Sequence, residues 1–175
     1  MSKVIVVGGG PAGIMAALEA SKYNEVLLIE RNHELGKKLR LTGGGRCNIT
    51  NNRYIEEFFD KVVTNNKFLY SAFYTFTNED LLKYFSNKGL KYKVEYDEKV
   101  YTMSDKADEV IEILKKDLEK NKVKVMYGTS NGLLGTLAST CIGLGALAMD
   151  GQATAMTQTT VAADFAQPHI GRAHV

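Results

Sequence analysis

Cysteine is scarce: the 175-residue chain has two, Cys47 and Cys141. They stand far apart, without C-x-x-C or Cys/His ligand spacing, so neither a disulfide framework nor a zinc site has support. Net charge is nearly absent as well. At +2, with lysines alternating with acids, the chain lacks the basic block that a nucleic-acid partner or an anionic membrane surface calls for. No secretion signal is expected, because Met1-Ser-Lys3 leads into an apolar run that Gly8, Gly9 and Gly10 interrupt. The cytoplasm is the expected compartment. Histidines are few, and His33, His169 and His174 join no acid-base constellation, so no catalytic base or nucleophile is assigned. A hydrophobic content of 45% with 24% charged residues suits one soluble domain with a core.

A further absence divides the chain. No lysine follows Lys124 and no glutamate follows Glu119, and from Thr129 to Val175 the only Asp, Glu, Lys or Arg residues are Asp150, Asp164 and Arg172. The expected organisation is therefore residues 1–128 as the N-terminal part of the main domain and 129–175 as a compositionally distinct tail. The uncharged run Leu133 to Met149 could be read as a membrane anchor, but it is short and diluted by Gly135, Gly143, Gly145, Thr136 and Thr140. The preferred expectation is a tail foreign to the front part, through truncation, fusion or a shifted reading frame, that packs poorly.

What is present begins at Val4. The β-branched run Val4-Ile-Val-Val7 feeds the loop Gly8-Gly-Gly10-Pro-Ala-Gly13, and an alanine-rich helical stretch to about Lys22 follows directly. This is the strand, turn and helix in which a G-x-G-x-x-G loop lets backbone N–H groups and a helix dipole approach a pyrophosphate. A second apolar strand, Val26-Leu-Leu-Ile29, ends in Glu30, about twenty residues past the loop, where an acid can accept ribose hydroxyls. A carboxylate there repels a 2′-phosphate, which argues against NADP at this first site and leaves FAD and NAD open.

Farther on, Arg31 to Asn52 reads as loop and carries a second glycine cluster, Thr42-Gly43-Gly44-Gly45-Arg46-Cys47-Asn48. Helical patches are expected over Ile55–Val63, over Lys67–Phe76, and from an Asn78 N-cap to Gly89. Phe58, Phe59, Phe68, Phe73, Tyr74, Phe76 and Phe85 are expected to form the core of that helical layer. Alternation in Tyr92, Val94 and Tyr96, followed by Val100-Tyr101, predicts a half-exposed hairpin. Ser104-Asp105 is expected to cap a helix with Ala107, Val110, Ile111, Leu114 and Leu118 on one face, and Val123, Val125 and Tyr127 to return a strand to the sheet.

A plain NAD domain gives no reason for the second glycine cluster. The strings Gly8–Gly13, Leu28–Arg31, Leu35–Leu39, Thr42–Asn51, Asn66–Phe73, Asn78–Leu81 and Ser104–Val110 resemble the bacterial flavoprotein family of NAD(P)/FAD-dependent oxidoreductases that includes aminoacetone-oxidase-like and BaiN-like members. The resemblance covers about Met1 to Tyr127. It departs at Glu98-Lys-Val-Tyr-Thr102, where that family has glycine-arginine-valine-phenylalanine-proline, and from Thr129 onward no family segment is recognised.

The resemblance implies an α/β fold: a Rossmann-like FAD-binding domain with a parallel sheet, incomplete, plus a small helical and hairpin insertion. It implies that Gly8, Gly10, Pro11, Ala12, Gly13, Glu30, Arg31, Lys38, Thr42, Gly43, Gly44, Gly45, Arg46, Cys47 and Asn48 hold FAD. Glycine N–H groups and Arg46 suit phosphate oxygens, and Asn48 offers a donor and an acceptor to a polar ring edge. Beside Arg46 the Cys47 thiol could be acidified, but no resolving cysteine stands nearby, which favours a positional role. The expected activity is hydride transfer between a small organic substrate and the flavin, with oxygen or NAD(P)H completing the electron path. Two alternatives stand: an FAD- or ADP-binding fragment without turnover, and an NAD-dependent dehydrogenase.

Overall fold

A computed structural model describes residues 2–128. In chain order the elements are β1 (Lys3–Val7), α1 (Pro11–Ser21), β2 (Glu25–Ile29), α2 (Lys37–Leu41), β3 (Thr50–Asn51), α3 (Ile55–Phe59), α4 (Tyr70–Thr75), α5 (Asn78–Ser86), β4 (Tyr92–Val94), β5 (Lys99–Thr102), α6 (Ala107–Lys120) and β6 (Lys124–Met126). The domain boundary at 128 and the foreign-tail and membrane-anchor readings of the tail concern residues outside the described ones. Among the described residues no helix is long and apolar enough to cross a membrane. The described residues divide into two compact units, one of residues 2–36 with 115–128, the other Lys37–Leu114.

The first unit is built on a parallel sheet in the order β1-β2-β6. Lys3 pairs with Glu25 and Val7 with Ile29, while Leu27 to Ile29 pair with Lys124 to Met126. Both strands of the first pair are nearly continuous apolar runs, as parallel strands covered by helices require, and Val6, Val26, Leu28 and Ile29 are buried. Helix α1 contributes Ile14 and Ala17, both completely buried. The order is the 3-2-1 half of a doubly wound sheet. The expected Rossmann-like parallel sheet is thus present as a partial sheet, and the strand predicted from Val123, Val125 and Tyr127 returns to it parallel to β2.

The second unit holds an antiparallel sheet in the order β3-β5-β4. The hairpin expected from alternation is there, with Tyr92 opposite Thr102 and Val94 opposite Val100. Its third strand, β3, lies in the stretch read as loop, as do α2 and the turn Thr42–Gly45. Those three pieces are short and glycine-rich or polar, so hydrophobic periodicity could not announce them.

Three local expectations need correction. Helix α5 is capped by Thr77, not Asn78: Thr77 and Asp80 exchange hydrogen bonds in a capping box, and Asn78 is instead buried, donating to the carbonyls of Asn51 and Arg53. Asp105 is not a helix cap, because its carboxylate is taken by Lys93 and Arg46 while Thr102 Oγ1 accepts from the Lys106 N–H. The aromatic layer is only partly core. Phe59 and Phe85 are buried, but Phe68 is 79% exposed and Tyr74 and Phe76 are also exposed. The rings satisfy one another by stacking, Phe59 against Tyr70 at 4.3 Å and against Tyr74 at 5.7 Å, instead of lying beneath other elements.

Candidate functional site

In the first unit the glycine loop begins where β1 ends. The Gly8 N–H continues the strand ladder by donating to the Ile29 carbonyl at 2.8 Å, and the Glu30 N–H donates to the Met126 carbonyl at 2.8 Å. Loop and acid therefore sit together at the carboxyl end of the sheet, the edge where open α/β sheets bind ligands. Helix α1 starts at Pro11, whose missing N–H costs nothing in the first turn. Its N-terminus has no side-chain cap and no acidic residue in the first turn, so no side chain of the helix itself caps its free N–H groups.

Gly13 is required by contact: a Cβ there would fall on the Gly8 carbonyl oxygen. A Cβ on Gly10 would meet nothing within 4 Å, so the loop backbone faces open space at the position where a pyrophosphate approaches. Pro11 and Ala12 are exposed at the same turn. Glu30 is 6% exposed, and its carboxylate faces the loop, with Oε2 accepting from the Gly9 N–H at 2.5 Å. Oε1 accepts from the backbone N–H and the side-chain Nδ2 of Asn32, at 2.8 and 2.5 Å. An uncapped helix start, an open loop face and a buried acid fit the phosphate and ribose of an ADP group. Arg31 is exposed beside them.

The remaining predicted site residues form a cluster within the second unit. Lys38 lies exposed on α2. Thr42–Gly45 make a tight turn in which Gly43 and Gly44 are left-handed, with φ of 58° and 67°. At Gly43 a Cβ would also collide with the Tyr101 ring and the Asn48 N–H group. The Cys47 N–H closes the turn on the Thr42 carbonyl at 3.1 Å, and Asn48 is exposed beyond it.

Arg46 is engaged by protein groups. Its Nη1 lies 2.9 Å from Glu95 Oε2 and 3.3 Å from Asp105 Oδ1, and the guanidinium sits 4.0 Å from the centre of the Tyr101 ring. Lys93 binds the same two carboxylates, at 3.0 Å and 2.7 Å. The Lys93 ammonium first, and Arg46 with it, hold the carboxyls of Glu95 and Asp105 below their ordinary range. Thus the charge expected for phosphate oxygens is balanced inside this unit. It does not acidify Cys47 either: the thiol is fully buried, and burial pushes its pKa up, with a side-chain hydrogen bond from Thr42 opposing. Acidification is the wrong direction here, and burial is the reason.

Sequence reasoning missed Asn32, which grips Glu30, and Lys93, Glu95, Tyr101 and Asp105, which grip Arg46. An Asn two residues after an acid was the local signal for the first. The second group comes from strands and turns remote in sequence, where single-residue patterns carry no pairing information. No group of His, Cys, Asp and Glu among the described residues could hold a metal ion.

Among solved structures, THI4 of Thermovibrio ammonificans matches with TM-score 0.44 and 19% identity over 73% of this chain and 38% of that one. An oxidoreductase from Methanosarcina mazei gives TM-score 0.37 and 13% identity over 72% of this chain and 51% of that one. Among curated proteins, the 3-dehydro-bile acid delta(4,6)-reductase of Clostridium scindens is 32% identical over 133 residues, 73% of this chain and 31% of the relative. The ribosomal RNA dihydrouridine synthases of Haemophilus influenzae and Escherichia coli are 26% and 31% identical, over 71% and 68% of this chain and 31% and 29% of theirs. The chain spans about a third of the length of the curated relatives it matches. The resemblance read from the motifs is borne out, since the family model for the HI0933-like protein Rossmann domain matches residues 2–171. The chain belongs to the HI0933-like Rossmann domain family.

Proposed function

We propose that the chain binds FAD and belongs to a flavoprotein that reduces a carbon–carbon double bond polarised by a neighbouring carbonyl. The observation that carries the cofactor reading is the buried Glu30 carboxylate held against the Gly9 N–H beside the uncapped start of α1. Gly8, Gly10, Pro11, Ala12, Gly13, Glu30 and Arg31 would hold the ADP half of FAD. Lys38 and the Thr42–Asn48 loop belong to the second unit, where Arg46 and Cys47 shape the loop and Asn48 is exposed; the family resemblance alone offers them as flavin contacts.

When bound, FAD supplies hydride transfer; the protein binds and orients it. The substrate class comes from the relatives' names. A delta(4,6)-reductase of a 3-dehydro-bile acid and a dihydrouridine synthase both saturate a double bond conjugated to a carbonyl. NAD(P)H is the proposed electron donor, and a small organic molecule the proposed substrate, since the near-neutral charge offers little to RNA.

The test is anaerobic. FAD-loaded protein is mixed with NADH, the flavin band at visible wavelengths is followed, and a conjugated 3-oxo steroid is then added. Bleaching by NADH and recovery on adding the enone support the reading. A flavin that binds but is never reduced supports the alternative of a binding fragment without turnover, and NAD binding in preference to FAD revives a dehydrogenase.

A further inference from the structure

We infer that Asn32 is a specificity-determining residue of the nucleotide site, whose side-chain amide occupies the place on Glu30 that the second hydroxyl of an adenosine ribose needs; this rests on the ADP-site reading above. A carboxylate offers about four lone-pair positions. On Glu30 three are taken: Oε2 by the Gly9 N–H at 2.5 Å, and Oε1 by the Asn32 N–H at 2.8 Å and its Nδ2 at 2.5 Å. One position, on Oε2, is left for a ligand.

A ribose diol brings two donors. One hydroxyl fits the open position on Oε2. The other reaches a carboxylate lone pair only if a protein donor leaves, and the three donors are not equally able to do so. The Gly9 N–H belongs to the loop backbone, and Gly9 itself is fixed by its carbonyl, which accepts from the Gly36 N–H at 2.9 Å. The Asn32 N–H is also backbone, anchored because the Asn32 carbonyl accepts from the Gly128 N–H at 3.3 Å. Only the Asn32 amide can turn away by side-chain rotation.

Asn32 thus acts as an internal competitor. It keeps the buried carboxylate satisfied while no nucleotide is present, and it charges nucleotide binding one charge-assisted hydrogen bond when the second hydroxyl arrives. Asn32→Ala removes that competitor and leaves the backbone donor in place. Asn32→Leu, close to Asn in shape, does the same without leaving a hole.

The experiment measures ADP, 2′-deoxy-ADP and 3′-deoxy-ADP binding to the full 175-residue chain and to both variants by calorimetry, with thermal melts in the absence of nucleotide. The expected result is ADP binding about 10- to 100-fold tighter in both variants, the worth of one net hydrogen bond to a carboxylate. The gain should vanish with at least one of the two deoxy nucleotides, and both variants should melt at a lower temperature without ligand. A merely structural role for Asn32 would weaken all three nucleotides together. ADP binding to wild type with unchanged or weaker binding to the variants overturns the inference alone. Failure of all three proteins to bind any of the nucleotides overturns the ADP-site reading and this inference with it.

Discussion

Cys47 shows how a neighbour's charge can be cancelled before it reaches a residue. Arg46 is adjacent in sequence, yet its guanidinium is committed to Glu95, Asp105 and the face of Tyr101. Cys47 itself is fully buried, with a left-handed backbone of φ 62°. A non-glycine residue held there is strained, and it persists because the Thr42 carbonyl and the glycine turn over-determine it. Desolvation disfavours the thiolate, which is the reactive form. Iodoacetamide at pH 8 should therefore leave Cys47 largely unmodified in the native protein and label it quickly in urea, as read by peptide mass mapping. Fast labelling of Cys47 in the native protein at pH 7 would mean that Arg46 acidifies it after all.

At the scale of elements, the Thr42–Asn48 loop and the β4–β5 hairpin are joined by charge. Glu95 and Asp105 have carboxyls held below their ordinary values of 4.5 and 3.8 by hydrogen bonds from Lys93 and Arg46. A depressed carboxyl contributes stability that is fully present above its ordinary value and is lost as pH falls through the lowered one. Urea melts of wild type and Glu95→Gln should differ at pH 7, and the gap should close as pH drops below 4.5 toward 3. The pairs are half-exposed, so added salt should narrow the gap as well. A gap that stays constant down to pH 3 would show that Glu95 acts through shape instead of charge.

Elements differed in how openly the sequence declared them. The parallel core was legible because β1 and β2 are nearly continuous apolar runs and α1 follows a glycine loop of fixed spacing; α6 was legible from its single buried face of Ala107, Val110, Ile111, Leu114 and Leu118. Glu30 could be placed by counting along the chain. What stayed hidden was decided by tertiary pairing. β3 is two residues long and exists because Thr50 and Asn51 meet Val100 and Lys99. The Thr77 cap was obscured by an adjacent Asn, which ranks above Thr as an N-cap. The aromatics were overcounted as core because α3 and α4 are short and bury Phe59 mainly in one another's rings.

At the scale of the whole molecule, the described residues contain half of a doubly wound sheet, β1-β2-β6, with the candidate phosphate loop at the end of β1. In the described residues β1 pairs with β2 alone. The ADP-binding part of such a fold is its first βαβ unit, which is complete here, so the nucleotide recognition proposed above rests on residues of the first unit alone. The central claim is that this unit makes the chain a flavoprotein. The direct measurement is the visible spectrum of the purified 175-residue protein after incubation with FAD and removal of unbound cofactor by gel filtration. The account predicts a flavin spectrum at near one equivalent per chain, reduced by Glu30→Ala. A colourless wild-type protein that retains no added FAD would contradict it.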